Sequence, residues 1–156
     1  MPLQEEIQQR TPFRSLQEEA FLNLYRTTRL LLDRWLEFFK SYDLTDSTYT
    51  VLRILRGAGE EGLSCGDIGA RMLHRDPDVT RLCDRMEERG LVERSRSSED
   101  RRVRKVRLTP SGLELVNSMQ EPTDRLHLDL LSHMEEADLR RLIELLEKAR
   151  APLTAR

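Results

Sequence analysis

Cysteine is nearly absent: Cys65 and Cys83 are the only two in 156 residues. A disulfide framework is therefore excluded. The start, Met1-Pro-Leu-Gln-Glu-Glu, carries no basic segment followed by an apolar one, so the expected compartment is the reducing cytoplasm. Long apolar runs are missing too. None approaches the ~20 residues of a membrane span, and no membrane partner is expected. The seven glycines form no phosphate-cradling loop. There is also no His-Glu-x-x-His and no evident nucleophile–base set, which argues against an enzyme and against any cofactor. His127, Asp129 and His133 are spaced so that only Asp129 and His133 share a helix face, too few for a metal site. A chain of this length buries roughly 70% of its unfolded surface, so no staple is needed.

Charge is what the chain has in abundance, and its distribution matters more than its sum. The net charge is −2, yet residues 71–107 hold twelve Lys and Arg against eight Asp and Glu. Residues 94–107 alone hold seven against two. A basic insert in an acidic frame points to a surface that faces phosphate.

Hydrophobic periodicity divides the chain into helices around a short β segment. Residues 13–42 read as one long helix, after a polar stretch at 1–12 that is expected to fray. Leu16, Ala20, Leu24, Leu31, Trp35, Phe38 and Tyr42 form one stripe; Phe21, Tyr25, Leu32, Leu36 and Phe39 form another beside it. Two adjacent apolar faces need two partners, the chain's own domain and a second subunit. Thr45 reads as the N-cap of a second helix that Gly57-Ala-Gly59 ends. Ser64 and Asp67 resemble a capping box opening a short helix to about Leu73. His74-Arg-Asp-Pro77 is a turn, with Asp76 as N-cap and Pro77 at the first position of a helix that runs to Arg89 and stops at Gly90.

After Gly90 the period changes to two. Residues 91–96 and 103–109 read as strands joined by a polar loop, with Val106 and Leu108 on one face and Lys105 and Arg107 on the other. Helical spacing returns after Gly112, breaks near Pro122, and ends in a helix over about 137–150. No internal repeat or low-complexity tract is present. The fold class is mainly α with a small β-ribbon wing (α+β): a winged helix-turn-helix over 45–112, flanked by N-terminal (1–44) and C-terminal (113–156) dimerisation helices.

The middle of the chain has the chemistry of a DNA reader. In the helix after Pro77, Val79, Leu82, Cys83 and Met86 share an apolar arc of about 60°. Arg81 lies opposite it, near the end of a recognition helix that meets base edges, and Arg pairs in bidentate fashion with guanine. Thr80 is placed for a phosphate or a thymine methyl, Asp78 for capping or a cytosine amino group, and Arg85 lies to one side. Arg101 and Arg102, at the loop tip, suit a narrow minor groove, with Asp100 orienting a neighbouring Arg. Arg75, Arg94, Arg96, Arg104 and Lys105 are candidates for the DNA backbone.

These segments carry a resemblance. Leu82-Cys-Asp-Arg-Met-Glu-Glu-Arg-Gly-Leu-Val-Glu-Arg94, then Asp100-Arg-Arg102, then Val106-Arg-Leu-Thr-Pro-Ser-Gly112 resemble the MarR family of bacterial transcriptional regulators. The similarity extends over roughly residues 16–150 in helix order. It implies a homodimer joined through the N- and C-terminal helices, each subunit reading half of a pseudo-palindromic operator in double-stranded DNA. It places Asp100 and Arg102 on the family's Asp-x-Arg wing motif, which makes Arg102 the implied minor-groove residue. It further implies a repressor, released when a small, often aromatic, molecule binds between dimerisation helices and DNA lobe. Tyr25, Arg29, Trp35, Tyr49 and His127 combine aromatic surface with positive charge and are the candidates for that ligand.

The cysteines read as separate features. Cys83 falls on the apolar arc as a small core residue. Cys65, near a helix start, is the more exposed, but the family's peroxide-sensing branch uses a cysteine in the N-terminal helix region, where this chain has none. The alternative function is a winged-helix module for protein–protein contacts. The alternating Arg and Lys around the wing loop favour DNA instead.

Overall fold

Capping side chains set the starts of four helices in the computed structural model, which describes residues 1–74, 78–96 and 104–154, with the backbone alone at Arg96. Chain order gives α1 (Leu3–Glu6), α2 (Leu16–Lys40), α3 (Asp46–Ala58), a 3-10 turn (Gly59–Glu61), α4 (Cys65–Arg71) and α5 (Val79–Glu88). Then follow β1 (Val92–Arg96), β2 (Arg104–Leu108), α6 (Pro110–Ser118), α7 (Gln120–Leu131) and α8 (Glu136–Thr154). Ser15, Thr45, Ser64 and Asp78 each accept a backbone N–H three residues on, satisfying a donor that the first helical turn leaves unpaired.

The chain forms two compact units, Met1–Val116 and Asn117–Arg156. In the first, Phe39, Tyr49, Val51, Leu52, Leu55, Ile68, Leu82, Cys83, Met86, Val92 and Val106 are almost wholly enclosed. They come from α2, α3, α4, α5 and both strands, so one core joins the helices to the ribbon. The second unit carries α7 and α8. Met119 caps α7 and Pro122 lies within its first turn, where a missing N–H costs little. The helix break predicted near Pro122 therefore falls at Met119.

Three other boundaries differ from the sequence reading. The N-terminal stretch is not frayed throughout: α1 buries Leu3, and Glu6 pairs with Arg26 of α2 at 2.7 Å. The helix assigned to begin at Pro77 begins at Val79, and its cap is Asp78, two residues later than predicted. Two neighbouring Asp residues are equally good caps by composition, so sequence alone chose the wrong one. Finally, Leu63 pairs with Val106 through both backbone bonds, 2.9 and 2.8 Å, adding a one-residue third strand. A single paired residue has no periodicity to reveal it.

Two glycines make the wing's attachment possible. Gly62, at φ +63°, lies against β2, where a Cβ would stand 2.4 Å from the Val106 carbonyl oxygen. Gly112 brings α6 against the chain after α5, where a Cβ would stand 2.0 Å from the Leu91 oxygen. Gly90 ends α5 in a Schellman arrangement: Leu91 N–H donates to Met86 and Gly90 N–H to Glu87, with Gly90 at φ +69°. No helix among the described residues is long and apolar enough to cross a membrane.

Candidate nucleic-acid interface

Helix α5 presents two unlike faces. Leu82, Cys83 and Met86 are buried, while Thr80, Arg81 and Arg85 are exposed. Asp78 holds the start twice over: it accepts the Arg81 N–H at 3.0 Å, and its other oxygen lies 3.0 Å from Arg81 Nε. The Arg81 side chain is nonetheless 83% exposed. Among the described side chains this is the most accessible cation at the start of α5, held near its cap by an ion pair that solvent screens.

The ribbon follows at once. β1 and β2 are antiparallel, with Val92 opposite Leu108, Arg94 opposite Val106 and Arg96 opposite Arg104. Residues directly opposite share a face. Arg94 is therefore on the inner face with buried Val106, and its side chain is only 19% exposed. It pairs with Asp84 of α5 at 2.5 Å, approaches Glu87 at 3.8 Å, and donates to the Thr80 carbonyl at 3.3 Å. Burial alone would lower its pKa, but the hydrogen bond and charge of Asp84 outweigh that and hold it above the ordinary guanidinium value. Arg94 thus buttresses the ribbon against α5 rather than facing outward for a phosphate, as the sequence reading had it.

The outer face is different. Arg107 is exposed and pairs with Glu93 across the strands at 2.8 Å. Lys105, on the same face, is half-buried; Arg104 is exposed but falls on the other face, with Val106. The register pairing of Arg96 with Arg104 puts two arginines at one position of the ribbon, an arrangement that is unfavourable without an anion nearby. Of the remaining predicted DNA contacts, Arg75, Asp100, Arg101 and Arg102 lie outside the described residues, as does the side chain of Arg96.

The predicted ligand contacts fall on α2, α3 and α7. Trp35 and Tyr49 belong to an aromatic cluster around Phe39, whose ring centroid lies 4.8 Å from that of Trp35 and 4.5 Å from that of Tyr49. The indole N–H of Trp35 donates to Asp46 at 2.6 Å, and Tyr49 is buried. Tyr25 and Arg29 are exposed on α2, with Arg29 3.9 Å from Asp33. His127 is exposed on α7, in the second unit. The first unit has an open cavity of about 410 Å3, lined by Leu55, Arg56, Glu93, Arg107, Leu108 and Leu113 among others. None of the five predicted ligand residues lines it.

Sequence reasoning missed Asp84 and Glu87 as the partners of Arg94. The ribbon's register would have exposed them, but a polar loop of unknown geometry does not fix register.

A short helix, a turn, an amphipathic helix and an antiparallel ribbon, in that order and on one core, define a winged helix-turn-helix protein. Residues 42–103 match the model of the MarR family. The HTH-type transcriptional repressor IacR of Pseudomonas putida is 36% identical over 108 residues, 69% of this chain. That match spans 64% of the repressor's own length, short of two thirds. Among solved structures, a MarR transcription factor from Planctomyces limnophilus is 40% identical, with a TM-score of 0.67 over 87% of this chain and 98% of its own. BpsR of Bordetella bronchiseptica, described with the regulation of its DNA binding by 6-hydroxynicotinic acid, is 24% identical. It shares the fold at a TM-score of 0.76, covering 89% of this chain and 97% of its own. The chain belongs to the MarR family of transcriptional regulators.

Proposed function

We propose that this protein is a homodimeric, sequence-specific DNA-binding repressor of the cytoplasm that reads a pseudo-palindromic operator and is released by a small aromatic ligand. The observation that carries the reading is the two-faced α5, its apolar arc sunk in the core while Thr80, Arg81 and Arg85 stand outside. Arg81, Thr80, Arg85 and Asp78 are assigned to the major groove, Arg96 and Arg104 to phosphates, and Arg75, Asp100, Arg101 and Arg102 to contacts at the turn and wing.

Dimerisation through residues 1–44 and 113–156 is supported by apolar surface that a lone chain leaves in water. On α2, Leu16, Phe21, Leu24, Tyr25 and Leu36 are exposed. On α8, Ile143, Leu145 and Leu153 are exposed, and the helix has no buried residue. Apolar surface on this scale marks an interaction face. The repressor role and the aromatic ligand are supported by what IacR and BpsR are described as doing. Tyr25, Arg29, Trp35, Tyr49 and His127 remain the candidates for ligand contact.

The test is selection of bound duplexes from a random pool, followed by a salt titration on the selected site. Six or more phosphate contacts predict a fall in affinity of roughly a thousandfold or more between ~50 and ~200 mM salt. Salt-independent binding, or no enrichment of any sequence, would overturn the reading. Screening aromatic acids for release of the selected duplex then tests the ligand.

A further inference from the structure

Asp46 stands where three segments of the first unit meet. It lies in the first turn of α3, where the helix dipole favours a carboxylate, but Thr45 does the capping. The Asp46 side chain, 22% exposed, has two other partners. One oxygen accepts the indole N–H of Trp35 in α2 at 2.6 Å; the other lies 3.5 Å from Nδ1 of His74. The Ser47 hydroxyl is hydrogen-bonded to the opposite ring nitrogen, Nε2, at 3.1 Å. His74 follows α4 and precedes the cap of α5, so it lies in the turn of the helix-turn-helix. The first two residues of α3 thus hold that turn by both nitrogens of one ring, and the same carboxylate ties it to α2.

We propose that Asp46 is a positioning residue for DNA binding, fixing the helix-turn-helix turn through His74 and linking it to α2 through Trp35. The turn sets where α5 begins, and the start of α5 carries Thr80 and Arg81, both exposed. Hydrogen bonds to base edges tolerate about 0.5 Å of misplacement, so slack in the turn is lost affinity. The charge of Asp46 separates this role from simple electrostatics. A carboxylate close to a phosphate-facing surface repels DNA, so its removal as mere charge would tighten binding. Its removal as a restraint on the turn weakens binding. The two effects have opposite sign.

The effect on DNA rests on the reading above; the link between Trp35, Asp46 and His74 does not. The experiment compares the full chain with Asp46→Asn, Asp46→Ala, His74→Ala and the double variant of the two alanines, each checked for folding by circular dichroism. Trp35 is the only tryptophan, so intrinsic fluorescence reads the link without DNA. Asp46→Ala leaves the indole N–H to water, and emission from the free protein is expected at longer wavelength. Affinity for the selected duplex is then measured by anisotropy. Asp46→Ala and His74→Ala are each expected to weaken it about tenfold. The double variant should bind no worse than either, because both act through one contact.

Asp46→Asn keeps the shape of the side chain and guards against Asp46→Ala failing to fold. It too is expected to weaken binding, against the tightening that loss of charge alone would give. Tighter or unchanged binding by the Asp46 variants overturns the positioning role, and additive losses in the double variant overturn the route through His74. Unchanged Trp35 emission in Asp46→Ala overturns the link. If the wild-type chain binds no duplex while the emission shift still occurs, the proposed function fails, the positioning role fails with it, and the link alone stands.

Discussion

Arg94 of the ribbon and Asp84 of α5 are paired at 2.5 Å, with the Arg94 side chain four-fifths enclosed. Together with the bond from Arg94 to the Thr80 carbonyl, this pair ties β1 to α5. Replacing Arg94 with Met removes a charge-assisted bond and leaves Asp84 without it, so the expected loss is about 1.5–3 kcal/mol. Urea unfolding measures it. An unchanged midpoint would show that the pair contributes nothing beyond an ordinary surface ion pair.

Gly112 and Gly57 give opposite outcomes for the same substitution. At position 112 an alanine Cβ would stand 2.0 Å from the Leu91 carbonyl oxygen, so Gly112→Ala forces backbone apart and is expected to cost about 1–3 kcal/mol. Nothing lies within 4 Å at position 57, inside α3, and Gly57→Ala is expected to stabilise by about 0.5–1 kcal/mol. Thermal unfolding of the two variants side by side tests both signs.

Arg81 and Asp78 separate recognition from restraint. Arg81→Ala is expected to lose about 1–3 kcal/mol on the selected duplex and to relax preference at one base pair. Asp78→Ser keeps an N-cap oxygen, so stability stays within about 0.5 kcal/mol. It also removes a carboxylate 3.0 Å from Arg81, and binding to unrelated duplexes should tighten. Fluorescence anisotropy on both duplexes reads this. Equal binding by wild type and Arg81→Ala would remove Arg81 from the interface.

Cys83 predicts an alkaline weakness. Desolvation first, then the neighbouring Cys65, raises its thiol from 9.0 to about 12. The folded state therefore keeps a proton that the unfolded state releases as pH passes about 9, so this contribution to stability is whole below pH 9 and lost as pH rises towards 12. Urea midpoints should fall across that window, and Cys83→Ala should flatten the fall. A variant with the same alkaline slope as wild type would place the cause elsewhere.

The segments whose signals are local were legible in the sequence. Thr45 and Ser64 cap the helices assigned to them, and Gly90 ends α5 through its positive φ. Of the apolar arc of α5, Leu82, Cys83 and Met86 are buried as expected, while Val79, in its first turn, is only half-buried. Where two local signals were equivalent, as at Asp76 and Asp78, sequence chose wrongly, and where the pairing was a single residue, as at Leu63, it saw nothing.

By itself, then, the sequence determined the order of helices and ribbon, because helix periodicity, caps and turn residues act within a few positions of one another. The tertiary structure decided how the ribbon's two strands align, and with that which cations turn inward. Arg94 and Arg107 are both strand arginines in the same basic stretch, yet one faces Val106 and reaches Asp84 while the other faces solvent and Glu93. Both placements depend on contacts between residues distant in the chain, which pack together only once the common core has formed.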